Sequence, residues 1–252
     1  MKITKLLTLV FAFALLFNIS CSSDDNVSEE IFYGNGFLLS NEGNFGKPNA
    51  DITYVSSDLN LKQDNIFSAN NGGSNLGDVL QMISFNGDNA YLLLNNSNKI
   101  QIVNRSNFKR AGEITAQLNS PRFMAFANNN IYVTNDKYGG DKFVSIYKTS
   151  DLSFVKKINF TDTVERIVEA GNNIFVQNAS FGFGNKISYI TTSNNEVQST
   201  ITIPTGNINK MIVNNETVYV IAAGTADSYI YQISNTGSIT KTFTLTGVTD
   251  AT

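Results

Sequence analysis

Residues 125–157 read AFANNNIYVTNDKYGGDKFVSIYKTSDLSFVKK, and the fold is decided there. The stretch predicts a short apolar strand, an Asn-rich turn, a second strand at Ile131–Thr134, a Gly-bearing loop, and further strands at Val144–Tyr147 and Phe154–Ile158. Apolar residues that alternate with polar ones, bounded by Asn, Gly, Asp and Ser, mark half-buried antiparallel strands. The unit recurs. Tyr91-Leu-Leu-Leu-Asn returns as Tyr132-Val-Thr-Asn, Phe175-Val-Gln-Asn and Tyr219-Val-Ile, at intervals of 41, 43 and 44 residues. The third strand keeps the same beat at Ile100–Val103, Val144–Tyr147, Ile187–Ile190 and Ile230–Ile233. Four strands per period in the low forties predict an all-β chain, a β-propeller of four-stranded antiparallel blades.

Working outward, the chain accommodates five blades. In the first, Phe37–Asn41 is expected as the second strand, paired with Ile52–Val55 across the long loop Glu42–Asp51. The others are expected to run from Val79 to Ile114, Phe123 to Phe160, Ile167 to Ile203 and Met211 to Leu245. Each ends in an outer strand where Thr and apolar residues alternate, as suits a strand wet on one side. After Leu245 the chain reads TGVTDAT, like a connector into another blade. Five blades can close a ring, but a fragment of a larger, seven-bladed ring is the expectation, since an open ring leaves apolar faces bare.

Residues 1–20 place Lys2 and Lys5 ahead of the apolar run Leu6–Phe17. That run is too short to span a bilayer but fits the core of a secretory signal peptide. Asn18-Ile19-Ser20-Cys21 follows, a small residue before the chain's single Cys, and resembles a bacterial lipoprotein cleavage box with Asn18 where Leu is commonest. Cys21 is therefore the expected lipidation site, and residues 21–31 a flexible tether to a propeller domain at 32–252. Ser22-Ser23-Asp24-Asp25 reads either as solvated tether or as a surface-export tag of Bacteroidetes lipoproteins.

Composition narrows the chemistry. Hydrophobic residues make up 42% of the 252-residue chain, enough for a substantial core. Loss of Lys2 and Lys5 from 18 basic residues leaves 16 against 21 acidic ones, a net charge of −5 that argues against nucleic-acid partners. The chain contains no His, which removes His-based zinc sites, imidazole acid–base catalysis and Ser-His-Asp triads together. With one Cys there is no intrachain disulfide. No cofactor motif is present, and Asn135, Asp136 and Asp141 lack the EF-hand pattern that would argue for calcium.

Asn41-Glu42-Gly43-Asn44-Phe45-Gly46, Leu76-Gly77-Asp78-Val79, Asn95–Val103 (NNSNKIQIV) and Ser120-Pro121-Arg122 together resemble a YncE-like β-propeller family of Bacteroidetes surface lipoproteins, largely of unknown function. The resemblance covers roughly residues 36–245. Relatives of the BtuG type are seven-bladed and cap a TonB-dependent outer-membrane transporter to capture cobalamin. The resemblance thus implies an outer-membrane, cell-surface address, a transporter partner and a nutrient ligand; it says little about which ligand, because propellers diversify in their loops.

Two constellations are candidate ligand-binding sites. Aligned by repeat, Gln81, Arg122, Arg166 and Lys210 fall just before each inner strand at intervals of 41, 44 and 44 residues, so all four are expected to converge on one mouth. Three cations and an amide there suit an anionic or carbonyl-rich ligand; equally, they could pair with neighbours such as Glu165 and Asp78 and only satisfy the channel. The loops between second and third strands carry Phe45, Tyr138, Phe181 and Phe183 beside glycines. Such rings can close over a flat ligand, fill a partner's pocket or fold back on their own blade. The expectation is a non-enzymatic binding propeller. A structural or protein-interaction propeller is the alternative, and a quinone-dependent or lyase-type propeller enzyme a more distant one.

Overall fold

Alternation becomes architecture in five antiparallel sheets. The computed structural model describes residues 31–252; the signal segment 1–20, Cys21 and the tether through residue 30 lie outside the described residues. The first sheet holds β1 (Gly36–Asn41), β2 (Asp51–Ser56) and β3 (Lys62–Gln63), followed by the short helix α1 (Ile66–Asn70). The second holds β4 (Leu80–Asn86), β5 (Asn89–Leu94), β6 (Lys99–Asn104) and β7 (Arg110–Ile114). The third holds β8 (Pro121–Ala127), β9 (Asn130–Asp136), β10 (Lys142–Lys148) and β11 (Phe154–Phe160). The fourth holds β12 (Ile167–Ala170), β13 (Asn173–Ser180), β14 (Phe183–Thr191) and β15 (Glu196–Thr202). The fifth holds β16 (Asn207–Asn214), β17 (Thr217–Ala223), β18 (Ser228–Ile233) and β19 (Ile239–Leu245). Strands follow one another in sequence order within each sheet, as the blades of a propeller do. Among the described residues no helix is long and apolar enough to cross a membrane.

The inner strands β4, β8, β12 and β16 pack side by side, and apolar layers join successive blades. Tyr91, Leu93 and Ile100 of the second blade meet Met124, Ile131 and Tyr147 of the third. Tyr132, Val144 and Ile146 meet Ile167, Ile174 and Ile190 of the fourth. Phe175, Ile187 and Tyr189 meet Met211, Val218 and Tyr231 of the fifth. The repeated aromatic anchor therefore fills the seam to the next blade. Polar tips are satisfied across these seams: the Tyr132 hydroxyl donates to Asn195 Oδ1, and the Tyr147 hydroxyl to the Ala116 carbonyl at 2.7 Å. Burial pushes the Tyr147 phenol up to about 12.

The abundance of Asn has a backbone cause. Two-residue hairpin turns that match strand twist need left-handed angles at both central residues. Asn128-Asn129, Gly171-Asn172 and Asn215-Glu216 supply them, with φ between 47° and 61°.

The first blade departs from expectation by holding three strands rather than four. Strand β1 packs on β4 as β5 packs on β8 and β13 on β16, so it occupies the second-strand place as expected. Its pairing with β2 also runs as read, Phe37 opposite Val55 and Asn41 opposite Asp51. Among the described residues no strand fills the inner place, and the residues just before β1 turn away from it. Tyr33 is buried edge-on against Tyr54 and Phe108, donates to Gln63 Oε1 at 2.8 Å, and its amide binds the Ser106 carbonyl. Phe37 and Leu39 on β1 are left 56% and 51% exposed. No strand of the first sheet packs on the fifth beyond isolated contacts, and Ile212 and Phe243 of the fifth are exposed as well.

Candidate functional site

The inner strands begin with backbone irregularities, and these decide where the expected site residues point. The register breaks between Leu80 and Met82 in β4, between Pro121 and Met124 in β8, and between Ile208 and Lys210 in β16. Beyond the break the blades agree: Ile83 pairs with Leu92, Met124 with Val133, Ile167 with Val176 and Met211 with Val220, each partner directly following its aromatic anchor. Two residues before these stand Gln81, Arg122, Glu165 and Asn209; one residue before stand Met82, Phe123, Arg166 and Lys210. The expected convergence of Gln81, Arg122, Arg166 and Lys210 is thus corrected. A slip of one residue moves a side chain to the opposite face of its strand, so Arg166 and Lys210 do not share the place of Gln81 and Arg122. The signal lay in the intervals, since Gln81, Arg122, Glu165 and Asn209 are 41, 43 and 44 residues apart, as the anchors are.

The equivalent residues bind one another around the mouth. Arg122 forks onto Glu165, Nε to Oε2 at 3.0 Å and Nη2 to Oε1 at 2.7 Å, and its Nη1 donates to Gln81 Oε1 at 3.3 Å. The two charged side chains are only 23% and 15% exposed. Such a bidentate pair is geometrically specific, and it spends the charge of Arg122 inside the protein. Asn209 turns aside and donates to the Ala251 carbonyl at 2.7 Å.

Above the pair opens a cavity of ≈ 560 Å³, lined by Arg122 and Glu165, by Asp136, Tyr138 and Lys142 around the β9–β10 loop, by Thr163, and by Ser180, Phe181 and Phe183 at the β13–β14 turn. Its charges balance: Arg122 and Lys142 face Asp136 and Glu165. Asp136 Oδ2 accepts from the Thr163 hydroxyl and the Val164 amide, which fixes the loop leading into β12. Asn178 holds the same loop, its Nδ2 donating to the Thr163 carbonyl at 2.9 Å. Asn135 is buried, with its amide nitrogen bonded to the Val133 carbonyl and Ser145 Oγ. Among the described residues there is no cluster of three or more carboxylate, His or Cys side chains that could hold a metal.

Three of the four expected aromatics, Tyr138, Phe181 and Phe183, line this cavity; Phe45 is exposed on the β1–β2 loop and does not. Phe181 departs from local turn chemistry. Ser180 pairs with Phe183, so Phe181-Gly182 forms a two-residue turn with φ of 52° and 77°. Where its counterparts at the opposite end of the blades use Asn, this turn places a bulky ring in the left-handed region and leaves it 88% exposed. Non-Gly residues held there cost of order 1–3 kcal/mol, and no packing of the ring offsets it.

A second cavity of ≈ 250 Å³ shares Arg122, Glu165, Ser180 and Phe181 with the first. Arg166 and Gln177 line it. The Arg166 guanidinium lies over the Phe123 ring at 4.6 Å and makes no ion pair among the described residues. Gln177 is 1% exposed; its Nε2 donates to the Ala179 carbonyl at 2.9 Å, while Oε1 has no partner among the described residues. Lys210 is exposed on the fifth blade and lines neither cavity, and Gln81 reaches the site only through Arg122. The alternative read from the sequence, that a mouth cation pairs with Glu165, holds for Arg122; Asp136, Lys142 and Ser180 were missed as members of the mouth.

Residues 35–251 match the family described as Domain of unknown function (DUF5074). The chain belongs to this family. None of the curated proteins is similar to this DUF5074 chain. Among solved structures it is similar to a quinonprotein alcohol dehydrogenase-like protein from Bacteroides thetaiotaomicron VPI-5482, with 13% identity over 84% of this chain and 51% of that one, at a TM-score of 0.65. It is also similar to a streptogramin B lyase, with 13% identity over 84% of this chain and 74% of that one (TM-score 0.57), and to the Neurospora crassa Pan2 WD40 domain, with 10% identity over 76% and 58% (TM-score 0.57). The DUF5074 chain spans about half the length of the first solved structures it matches. At these identities the likeness establishes the β-propeller fold and nothing about chemistry.

Proposed function

We propose that this DUF5074 protein is a non-enzymatic binding propeller that holds a flat, cyclic nutrient against Phe181, Phe183 and Tyr138 over the Arg122–Glu165 pair. The observation that carries the reading is the Phe181 turn: an exposed ring kept in a costly backbone conformation at the lip of a cavity has a use outside folding. A volume of ≈ 560 Å³ lies within the range of ordinary small-molecule sites. It favours a ligand smaller than the cobalamin suggested by the YncE-like and BtuG-type resemblance. The balanced lining favours an uncharged ring in this cavity, so any acid group of the anionic or carbonyl-rich ligand expected from the sequence would lie outside it. A protein-docking propeller is the second reading, favoured by Phe45, which is exposed away from both cavities.

The test is thermal unfolding of the full chain with purines, pterins, indoles, flavins and cobalamin. A ligand at a hundred times its Kd adds about 2.7 kcal/mol of stability, and one of the ring compounds should do so. Phe181→Asn should abolish that gain while leaving the unliganded protein as stable or slightly more so, because Asn suits the turn. A panel with no effect, or a gain that survives in Phe181→Asn, would leave the docking reading in front.

For the address we propose lipid anchorage through Cys21 at the outer membrane, beside a TonB-dependent transporter. The support is the signal-like run and the cleavage-box resemblance. Cys21→Ala should move the protein from the detergent to the aqueous phase; unchanged partition would refute the anchor.

A further inference from the structure

We infer that the ≈ 250 Å³ cavity beside the ion pair is a carboxylate subsite, and that the ligand class is an aromatic α-amino or N-acyl-amino acid, with its ring in the larger cavity and its acid group on Arg166. This rests on the reading of the mouth given above. The two arginines differ in commitment. Arg122 spends its fork on Glu165, whereas Arg166 lies over the Phe123 ring at 4.6 Å with no acidic partner among the described residues. A guanidinium oriented by stacking keeps its donors in a plane that matches a carboxylate. Glu165 does not oppose an incoming anion strongly, because Arg122 already neutralises it.

The second requirement comes from Gln177. Its Oε1 is buried without a partner among the described residues, and a buried acceptor in that state costs free energy until a donor reaches it. Its Nε2 is bonded to a carbonyl, so exchanging the two amide atoms would set two acceptors against each other. A ligand with an N–H or O–H close to its carboxylate would supply that donor, because Gln177 and Arg166 line the same cavity on paired backbone: the Gln177 backbone N–H donates to the Arg166 carbonyl at 2.8 Å. An α-amino or N-acyl-amino acid carries both groups on one carbon. Phe181 borders both cavities and so faces the link between the acid end and the ring.

The protein contains no Trp, so indole emission reports the ligand alone. N-acetyl-L-tryptophan titrated into the full chain and read by fluorescence anisotropy should bind at least about tenfold more tightly than its methyl ester, the size expected from one charge-assisted bond. Arg166→Gln should remove that preference by weakening the acid to the level of the ester. Gln177→Leu, which fills the space without an acceptor, should weaken the acid and the ester alike, since both carry the N–H. Equal binding of acid and ester, with both lost in Phe181→Asn, would overturn the subsite and leave the mouth standing. Absence of binding by either probe would overturn the ligand class, with the thermal panel judging the mouth separately. A preference for the acid that persists in Arg166→Gln would also refute the assignment.

Discussion

Tyr132→Ala should lower stability by about 3–5 kcal/mol, the range for removing a buried aromatic ring, and reduce the unfolding temperature by roughly 10 °C in a domain of this size. Tyr132 has no exposed surface and lies in the seam between the third and fourth blades, among Val144, Ile167, Ile174 and Ile190. Those neighbours belong to two sheets, each held by its own hydrogen-bond ladder, so they cannot collapse far into the space. The hydroxyl adds a smaller part by donating to Asn195 across the seam, and Tyr132→Phe should cost only about 1–2 kcal/mol. Denaturant unfolding of the two variants measures the division. A loss below about 1 kcal/mol for the alanine variant would mean that the seam is not close-packed.

Gly184→Ala should cost about 2–3 kcal/mol and abolish ring-ligand binding in the same protein. Gly184 has φ of 111°, and a Cβ there would stand 2.6 Å from the Asn178 carbonyl oxygen and 2.8 Å from Ala179 Cα. Both are backbone atoms in the part of β13 that carries the register irregularity, so the strand itself would have to move. Phe183 is the neighbouring residue, and Asn207 Oδ1 accepts from the Gly184 amide at 3.2 Å. The turn that presents Phe181 would therefore be displaced along with the bulge. Gly182→Ala is the control: its φ is 77°, but its Cβ would meet nothing within 4 Å, so the cost should stay near 1 kcal/mol and binding should persist. Full binding by a folded Gly184→Ala protein would separate the hairpin from the site.

The blades were legible because their signal is redundant. Each period restates the aromatic anchor, and Tyr91, Tyr132 and Phe175 all fill the seam to the following blade. The seams themselves were not stated by any one strand; they follow only when periods are laid side by side. The first blade misled because FLLSN at 37–41 has the pattern of a second strand whether or not a partner lies inside it, and nothing local says that Tyr33 leaves the sheet for the Tyr54–Phe108 pocket. The mouth was half legible. Arg122, Tyr138, Phe181 and Phe183, which the sequence offers as two separate constellations, line one cavity. Arg166 matches Arg122 in charge type but not in register, and a bulge before the inner strand leaves no mark in the hydrophobic pattern. Asp136 and Ser180 close the second strands of their blades, and their role depends on which loops the ring brings against them.

Each described blade packs on its neighbours in sequence, so each is stabilised through the seams it shares with them. Blade three has a partner on both faces, and so does blade four. The mouth is assembled from these two, with Arg122 and Tyr138 on one and Glu165 and Phe181 on the other. The mouth is thus built across a seam, and loosening the apolar layer between these two blades would disperse it while each sheet kept its own hydrogen bonds.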